Sequence, residues 1–120
     1  MRDYTTFGEF LSDRRRKREI PSLQMSEIAG ISPSYYCDIE KNRRVPPDRE
    51  ILKKIIDVLQ LSAEDRITFY DLAGKARSEV SPDLPDYIME NEVVRFALRV
   101  AKEKADPDDW KQFIDRLEKK

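Results

Sequence analysis

The stretch "SEIAGISPSYYCDIEKNRR", residues 26–44, constrains the fold most strongly, because it ends one helical pattern and starts another within a few residues. Gly30 closes the first pattern, and glycine adopts at little cost the left-handed backbone conformation in which helices end. Ser32 and Pro33 follow, a hydroxyl that can cap a helix and a proline for the first turn, where a missing N–H does no harm. The stretch predicts two short helices joined by a tight turn.

The residues before this stretch predict another helix. Residues 5–19, "TTFGEFLSDRRRKRE", carry apolar side chains at helical spacing, and Thr5 or Thr6 can cap the start. Ile20-Pro21 is expected to end this helix, because a residue before proline is pushed out of the helical region. Ser22 is expected to cap the next helix through its hydroxyl.

The residues after the stretch predict a fourth and a fifth helix. Asp48 favours a first turn, and a broad apolar face follows it. The letters "SAED" then place an acid three positions after a serine, which is the pattern of a capping box. The fifth helix is predicted from about Ala63 to Ala73, closed by Gly74, with Ile67 and Tyr70 facing inward.

Composition changes after residue 74. The segment "KARSEVSPDLPDYI" contains prolines and serines, typical of a linker, and it ends in a short helical turn. Two more helical stripes follow in "NEVVRFALRVAKEKA" and "DPDDWKQFIDRLEKK". We therefore predict an all-α fold with a five-helix domain over 1–74, a linker over 75–90 and a C-terminal helical hairpin over 91–120.

The last stripe has two interpretations. It can pack on the preceding helix of the hairpin, or it can form the interface of a homodimer. Its members are Trp110, Phe113, Ile114 and Leu117.

Residue usage argues against several functions. The chain has one cysteine, Cys37, and no histidine, so the usual zinc sites and histidine-based nucleophilic triads lack their residues. No glycine-rich phosphate loop is present. We expect no metal, no cofactor and no enzymatic activity. The N-terminus has no signal-peptide pattern and no apolar run is long enough to span a bilayer, so we expect a soluble, cytoplasmic protein without a membrane partner.

The third helix is predicted to present a polar outer face. Its apolar positions face the bundle, whereas the opposite side carries small or hydrogen-bonding side chains. A helix that a partner helix holds off the body of a domain has the shape that enters the DNA major groove. The outward residues are Ser34, Tyr35, Cys37, Asp38 and Lys41.

From Phe7 to about Ala73 the chain resembles the phage-repressor-like helix-turn-helix domain of the Xre-type group of bacterial and phage regulators. The resemblance rests on "MSEIAGIS" for the second helix and turn, "SPSYYCDIEKNRR" for the recognition helix and the loop after it, and "LKKIIDVLQLS" for the fourth helix. It implies a lambda-repressor-like fold of five helices and a third helix that binds DNA.

The resemblance also implies roles for individual residues. Arg15 and Glu40 stand where the family has a structural ion pair between the first and third helices. Ser22 stands where a glutamine often binds a phosphate. Asn42 replaces the usual loop glycine, and asparagine tolerates the left-handed backbone conformation better than most residues. The base-contacting positions of the family correspond to Pro33, Ser34, Cys37 and Asp38.

These observations predict a sequence-specific transcriptional regulator, most simply a repressor, that inserts residues 32–41 into the major groove of double-stranded DNA as a homodimer. The alternative is an antitoxin-like or adaptor module that docks an unidentified protein partner through the same helix-turn-helix. The near-neutral net charge of −1 and the acidic Asp38 favour that alternative. The predicted DNA contacts are Ser22, Ser32, Pro33, Ser34, Tyr35, Cys37, Asp38, Lys41, Asn42, Arg43 and Arg44.

Overall fold

The computed structural model describes residues 6–120, which form eight helices and no strand. Thr5, a predicted cap, lies outside the described residues. The chain divides after Leu84 into a first unit and a second unit, Pro85–Lys120. The helices are α1 (Phe7–Lys17), α2 (Ser22–Ala29), α3 (Pro33–Glu40), α4 (Arg49–Leu59), α5 (Ala63–Ala76), α6 (Pro85–Glu90), α7 (Glu92–Lys104) and α8 (Pro107–Glu118).

The first unit has one hydrophobic core to which all five of its helices contribute. The ring of Phe69 on α5 lies 5.0 Å from the ring of Phe7 and 6.4 Å from that of Phe10, both on α1. Burial of each large apolar side chain of this kind stabilises the fold by about 1.5–3 kcal/mol. Other fully buried members are Leu11, Met25, Tyr36, Ile39, Leu52, Ile55 and Leu59.

The boundary between α1 and α2 differs from the prediction in two respects. The first helix ends at Lys17, before Ile20-Pro21, because Glu19 adopts a left-handed conformation with φ of 55°. Pro21, not Ser22, occupies the N-cap position of α2, and no side chain caps that helix. The predicted Ser22 cap is therefore wrong, since a first helical residue lies past the position from which a hydroxyl reaches back to the free N–H groups.

The turn between α2 and α3 confirms the local predictions. Gly30 ends α2 in the left-handed conformation, with φ of 75° and ψ of 29°. The Tyr35 N–H donates to the Ser32 hydroxyl at 3.1 Å, and Pro33 lies in the first turn of α3. The α2–α3 unit is thus specified by its own caps.

The predictions for α5 are wrong at two residues and correct in part at its start. Gly74 lies inside the helix, which continues to Ala76. A Cβ at Gly74 would lie 2.8 Å from the carbonyl oxygen of Glu79 and the nitrogen of Ser81, so this glycine permits close packing of the chain that follows. Ile67 is 61% exposed, and Phe69 takes the inward position beside Tyr70.

Half of the predicted capping box of α5 forms. The Ser62 hydroxyl accepts from the Asp65 N–H at 3.1 Å. The Asp65 carboxylate pairs with Arg14 of α1, with its two oxygens 3.0 and 3.2 Å from Nε and Nη2. The Asp65 carboxylate thus forms an ion pair with a distant helix and does not accept the second hydrogen bond of the capping box, from the Ser62 N–H.

The second unit has no buried side chain in α6, α7 or α8. Its best-defined helix start is Asp106, whose carboxylate accepts from the Asp109 N–H at 3.0 Å while the Asp109 carboxylate accepts from the Asp106 N–H at 2.9 Å. Across residues 6–120, no helix has both the length and the apolar character required to cross a bilayer.

Close contact between α1 and α3 depends on Gly8. A Cβ at Gly8 would lie 2.7 Å from the Asn42 Oδ1 and 2.8 Å from the carbonyl carbon of Glu40, and the latter is backbone that cannot rotate away. The end of α3 therefore rests directly on the first turn of α1.

We expect Gly8→Ala to lower the free energy of unfolding by about 3 kcal/mol, because overpacking against backbone outweighs the better helix propensity of alanine. Gly30→Ala is the control, since a Cβ there meets nothing nearer than Lys54 Nζ at 3.9 Å and costs only backbone strain of about 1 kcal/mol. Urea unfolding followed by circular dichroism measures both. Equal losses would contradict the close-contact role of Gly8.

Candidate nucleic-acid interface

The structure places the predicted outward residues of α3 on the surface of the first unit. Ser32, Pro33 and Ser34 are exposed at its N-terminal end, whereas Tyr36 and Ile39 are buried beneath it. Because α3 has only eight residues, two buried anchors are enough to hold it while its opposite side stays accessible. Tyr35, Cys37 and Asp38 are partly exposed, and Lys41 is exposed.

The Arg15–Glu40 pair fixes the C-terminal end of α3 to α1. The guanidinium donates from Nε to Glu40 Oε2 at 2.7 Å and from Nη2 to Oε1 at 3.0 Å, and the two side chains are 13% and 11% exposed. A third donor, Nη1, reaches the Ile20 carbonyl at 3.0 Å. The hydrogen bond with Glu40 raises the pKa of Arg15 above its ordinary value, so the guanidinium stays charged.

Tyr36 lies next to this pair in the core. Its hydroxyl makes no hydrogen bond of standard geometry within residues 6–120. Burial, followed by the nearby Glu40 carboxylate, raises the pKa of Tyr36 well above its usual range. The phenol is therefore neutral and serves as an anchor of α3 in the core.

Asn42 connects the loop after α3 to the start of α1. It adopts the predicted left-handed conformation, with φ of 61°. Its Oδ1 accepts from the Gly8 N–H at 3.0 Å, and its Nδ2 donates to the Thr6 hydroxyl at 3.1 Å. Because both ends of the amide are used within the protein, we omit Asn42 from the DNA contacts proposed below.

The two arginines after α3 lie beside it. The Arg44 guanidinium carbon is 4.5 Å from the centre of the Tyr35 ring, a cation–π arrangement. Arg43 Nη1 is 3.8 Å from Asp38 Oδ1, and the Arg43 side chain is 67% exposed. The two arginines therefore add to the positive charge of Lys41 at the C-terminal end of α3, and a carboxylate lies close to one of them.

One basic residue near the turn, Lys54, was missed from the sequence. Lys54 of α4 is exposed and lies close to Gly30, so it adds a positive charge beside the α2–α3 turn. Ser22 is exposed at the start of α2. The helical pattern of α4 does indicate that Lys54 points outward, because the apolar residues occupy the other face. It does not indicate that Lys54 lies next to the α2–α3 turn, since that depends on how the helices pack.

Most of the basic run "RRRKR" serves the fold. Arg14 pairs with Asp65 and Arg15 with Glu40. Arg18 donates from Nε to the Leu59 carbonyl at 2.9 Å, and so satisfies an acceptor at the end of α4. Three of the five residues of the run therefore form tertiary contacts, and two of these three charges are paired with carboxylates.

Comparison with known proteins agrees with this geometry. Residues 11–65 match the family model described as Helix-turn-helix, and this segment runs from α1 into α5 with α2, the turn and α3 inside it. No curated protein shows significant similarity to the chain. The match confirms the resemblance to phage-repressor-like helix-turn-helix regulators.

We expect Glu40→Ala to destabilise the first unit by about 3 kcal/mol, because it leaves the Arg15 charge nearly buried without its partner. Glu27→Ala, which removes an exposed glutamate from α2, should change stability by less than about 0.5 kcal/mol. Denaturant unfolding of the full chain gives both values. If the two variants lose the same stability, the pair does not hold α3.

Proposed function

We propose that this chain, whose residues 11–65 match the family model described as Helix-turn-helix, is a sequence-specific transcriptional regulator that inserts α3 into the major groove. The observation that carries the proposal is the exposed polar side of α3, anchored from below by Tyr36 and Ile39. An α-helix fits the major groove, where each base pair presents a distinct pattern of donors and acceptors.

The proposed base contacts come from the first two turns of α3. Ser32, the N-cap, and Pro33 and Ser34 of the first turn are exposed, and a serine hydroxyl can donate to or accept from either purines or pyrimidines. Asp38 would accept from a cytosine amino group, and Cys37 and Tyr35 lie beside it on the partly exposed side. An acidic side chain in this position favours cytosine and disfavours close approach to phosphate.

The proposed phosphate contacts surround this face. Arg43 and Arg44 follow the end of α3, with Lys41 before them, and Ser22 and Lys54 lie by α2 and the turn. The Arg43–Asp38 pair is exposed, and such pairs contribute only about 0–1 kcal/mol. Arg43 can therefore turn from Asp38 to a phosphate at little cost.

Repression and homodimerisation complete the proposal. A single small helix-turn-helix domain contacts only a few base pairs, so two copies on adjacent half-sites supply the affinity and selectivity that regulation needs. A dimer bound over a promoter represses by occupancy. The mechanism requires no catalytic step, metal or cofactor.

We expect Arg43→Ala to weaken DNA binding about tenfold at low salt for all sequences alike, and to reduce the salt dependence by about one phosphate contact. Arg66→Ala removes an exposed arginine from α5 and should leave binding unchanged. Gel-shift titrations against DNA from the protein's own locus, at several salt concentrations, provide the measurement. Binding that does not respond to salt would contradict the proposal.

We expect the full chain to select a palindromic consensus from a random DNA library, and Ser34→Ala to alter the preferred bases at one position of each half-site, because a lost base contact costs about 1–3 kcal/mol of discrimination. The spacing of the half-sites reports the separation of the two α3 helices. An unchanged consensus would exclude Ser34 from base contact.

The protein-docking alternative has one supporting observation, the Asp38 carboxylate that balances Arg43 on the outer side of α3. A surface that carries both a positive and a negative side chain suits a polypeptide of mixed charge better than it suits a phosphate backbone. The random-library experiment decides between the two functions. Failure to enrich any DNA, together with stoichiometric co-purification of one protein that Tyr35→Ala releases, would establish the adaptor function.

A further inference from the structure

Helix α8 leaves its apolar stripe uncovered. Every residue from Pro107 to Glu118 is exposed, including four large apolar side chains at helical spacing. A helix this amphipathic is stable in water only when something covers that side. The stripe consists of Trp110 (40% exposed), Phe113 (48%), Ile114 (53%) and Leu117 (42%).

The charges beside the stripe are arranged symmetrically about its centre. At about 100° per residue, Asp109 and Arg116 lie on one side of the stripe, and Lys111 and Glu118 lie on the other. Each side thus has one acid and one base seven residues apart, about 10.5 Å along the axis, which is too far for an ion pair within the helix. The midpoints of the two pairs lie one residue before and one residue after the midpoint of the stripe, which falls between residues 113 and 114, so the four charges together share its centre.

The two ends of α8 also carry opposite charge. The start has three acids, Asp106, Asp108 and Asp109. The end has three bases, Arg116, Lys119 and Lys120, against two acids, Asp115 and Glu118, so it is net basic. Two copies in parallel would place acid beside acid at one end and base beside base at the other. Two antiparallel copies place each acidic end beside the basic end of the other copy, and their helix dipoles also oppose one another.

We infer that α8 pairs with α8 of a second copy of this chain in an antiparallel, two-fold symmetric arrangement. The axis passes between Phe113 and Ile114, so that Trp110 packs near Leu117 of the second copy. Lys111 then faces Glu118 of the second copy on one side of the stripe, and Asp109 faces Arg116 on the other. The apolar stripe supplies the affinity, and the charges fix the direction.

The exposed apolar area of the second unit is of the size that a dimer requires. The α7 helix adds Val93, Phe96 and Val100, which share one side of that helix and are between 45% and 81% exposed. Seven such side chains, at on the order of 100 Å² of exposed area each, approach the roughly 800 Å² that one partner contributes to a standard interface.

Charge reversal on the full chain tests the pairing and its direction. Lys111→Glu and Glu118→Lys should each raise the dimer dissociation constant about tenfold, because each creates two like-charged contacts across the axis. The double variant Lys111→Glu/Glu118→Lys should recover the original value, and an equal mixture of the two single variants should form a heterodimer. Lys102→Glu is the matched control, since it reverses an exposed lysine on the side of α7 opposite its apolar stripe and should change nothing.

Sedimentation velocity without DNA provides the measurement, and circular dichroism verifies that each variant keeps its helices. Phe113→Asp should raise the dissociation constant at least about a hundredfold. A monomeric wild-type chain at all concentrations, a dimer that tolerates Phe113→Asp, or a double variant no tighter than the singles would each overturn the inference. In a parallel pair, residue 111 would face residue 111 of the second copy and residue 118 would face residue 118. The double variant would then still bring like charges together and would be no tighter than the single variants.

This inference rests on the homodimer proposed above, but its measurement involves no DNA. A chain that dimerises as described and binds no DNA overturns the regulatory function alone. A monomer that still selects a DNA sequence overturns the α8 pairing alone.

Discussion

The Arg15–Glu40 ion pair is the interaction on which the candidate interface depends. Helix α3 is too short to be stable alone and holds its position through two buried side chains, Tyr36 and Ile39, and this bidentate bridge. Desolvating two charges is costly, and the geometry offsets that cost because the guanidinium also satisfies the Ile20 carbonyl. The contact between Gly8 and the end of α3 then fixes the distance between the two helices.

Several arginines of the first unit form contacts within the fold and are therefore less available to bind a ligand. Arg14 pairs with a carboxylate of α5 and Arg15 with one of α3, and Arg18 donates to a carbonyl at the end of α4. The arginines after α3 are different, because their side chains contact partly exposed groups at the surface, a tyrosine ring and a carboxylate. A basic run in a sequence therefore says little about nucleic-acid binding until its partners are known.

Local chemistry made much of the fold predictable. The cap at Ser32 and the left-handed residues Gly30 and Asn42 act within four residues, so their effect is visible in the sequence. The Arg15–Glu40 pair followed from the resemblance to a known family. Asn42 was predicted in its backbone conformation, but its two side-chain hydrogen bonds to α1 required the tertiary structure.

The sequence by itself determined the all-α fold and the glycine turn between α2 and α3, because helix starts, stops and periodicity are short-range properties. Only the tertiary structure decided that Gly74 lies inside a helix, that Phe69 and not Ile67 enters the core, and that Asp65 bonds to Arg14 in place of its own cap. Each of these depends on which distant segment packs against the residue, and that proximity is set by the folded chain as a whole.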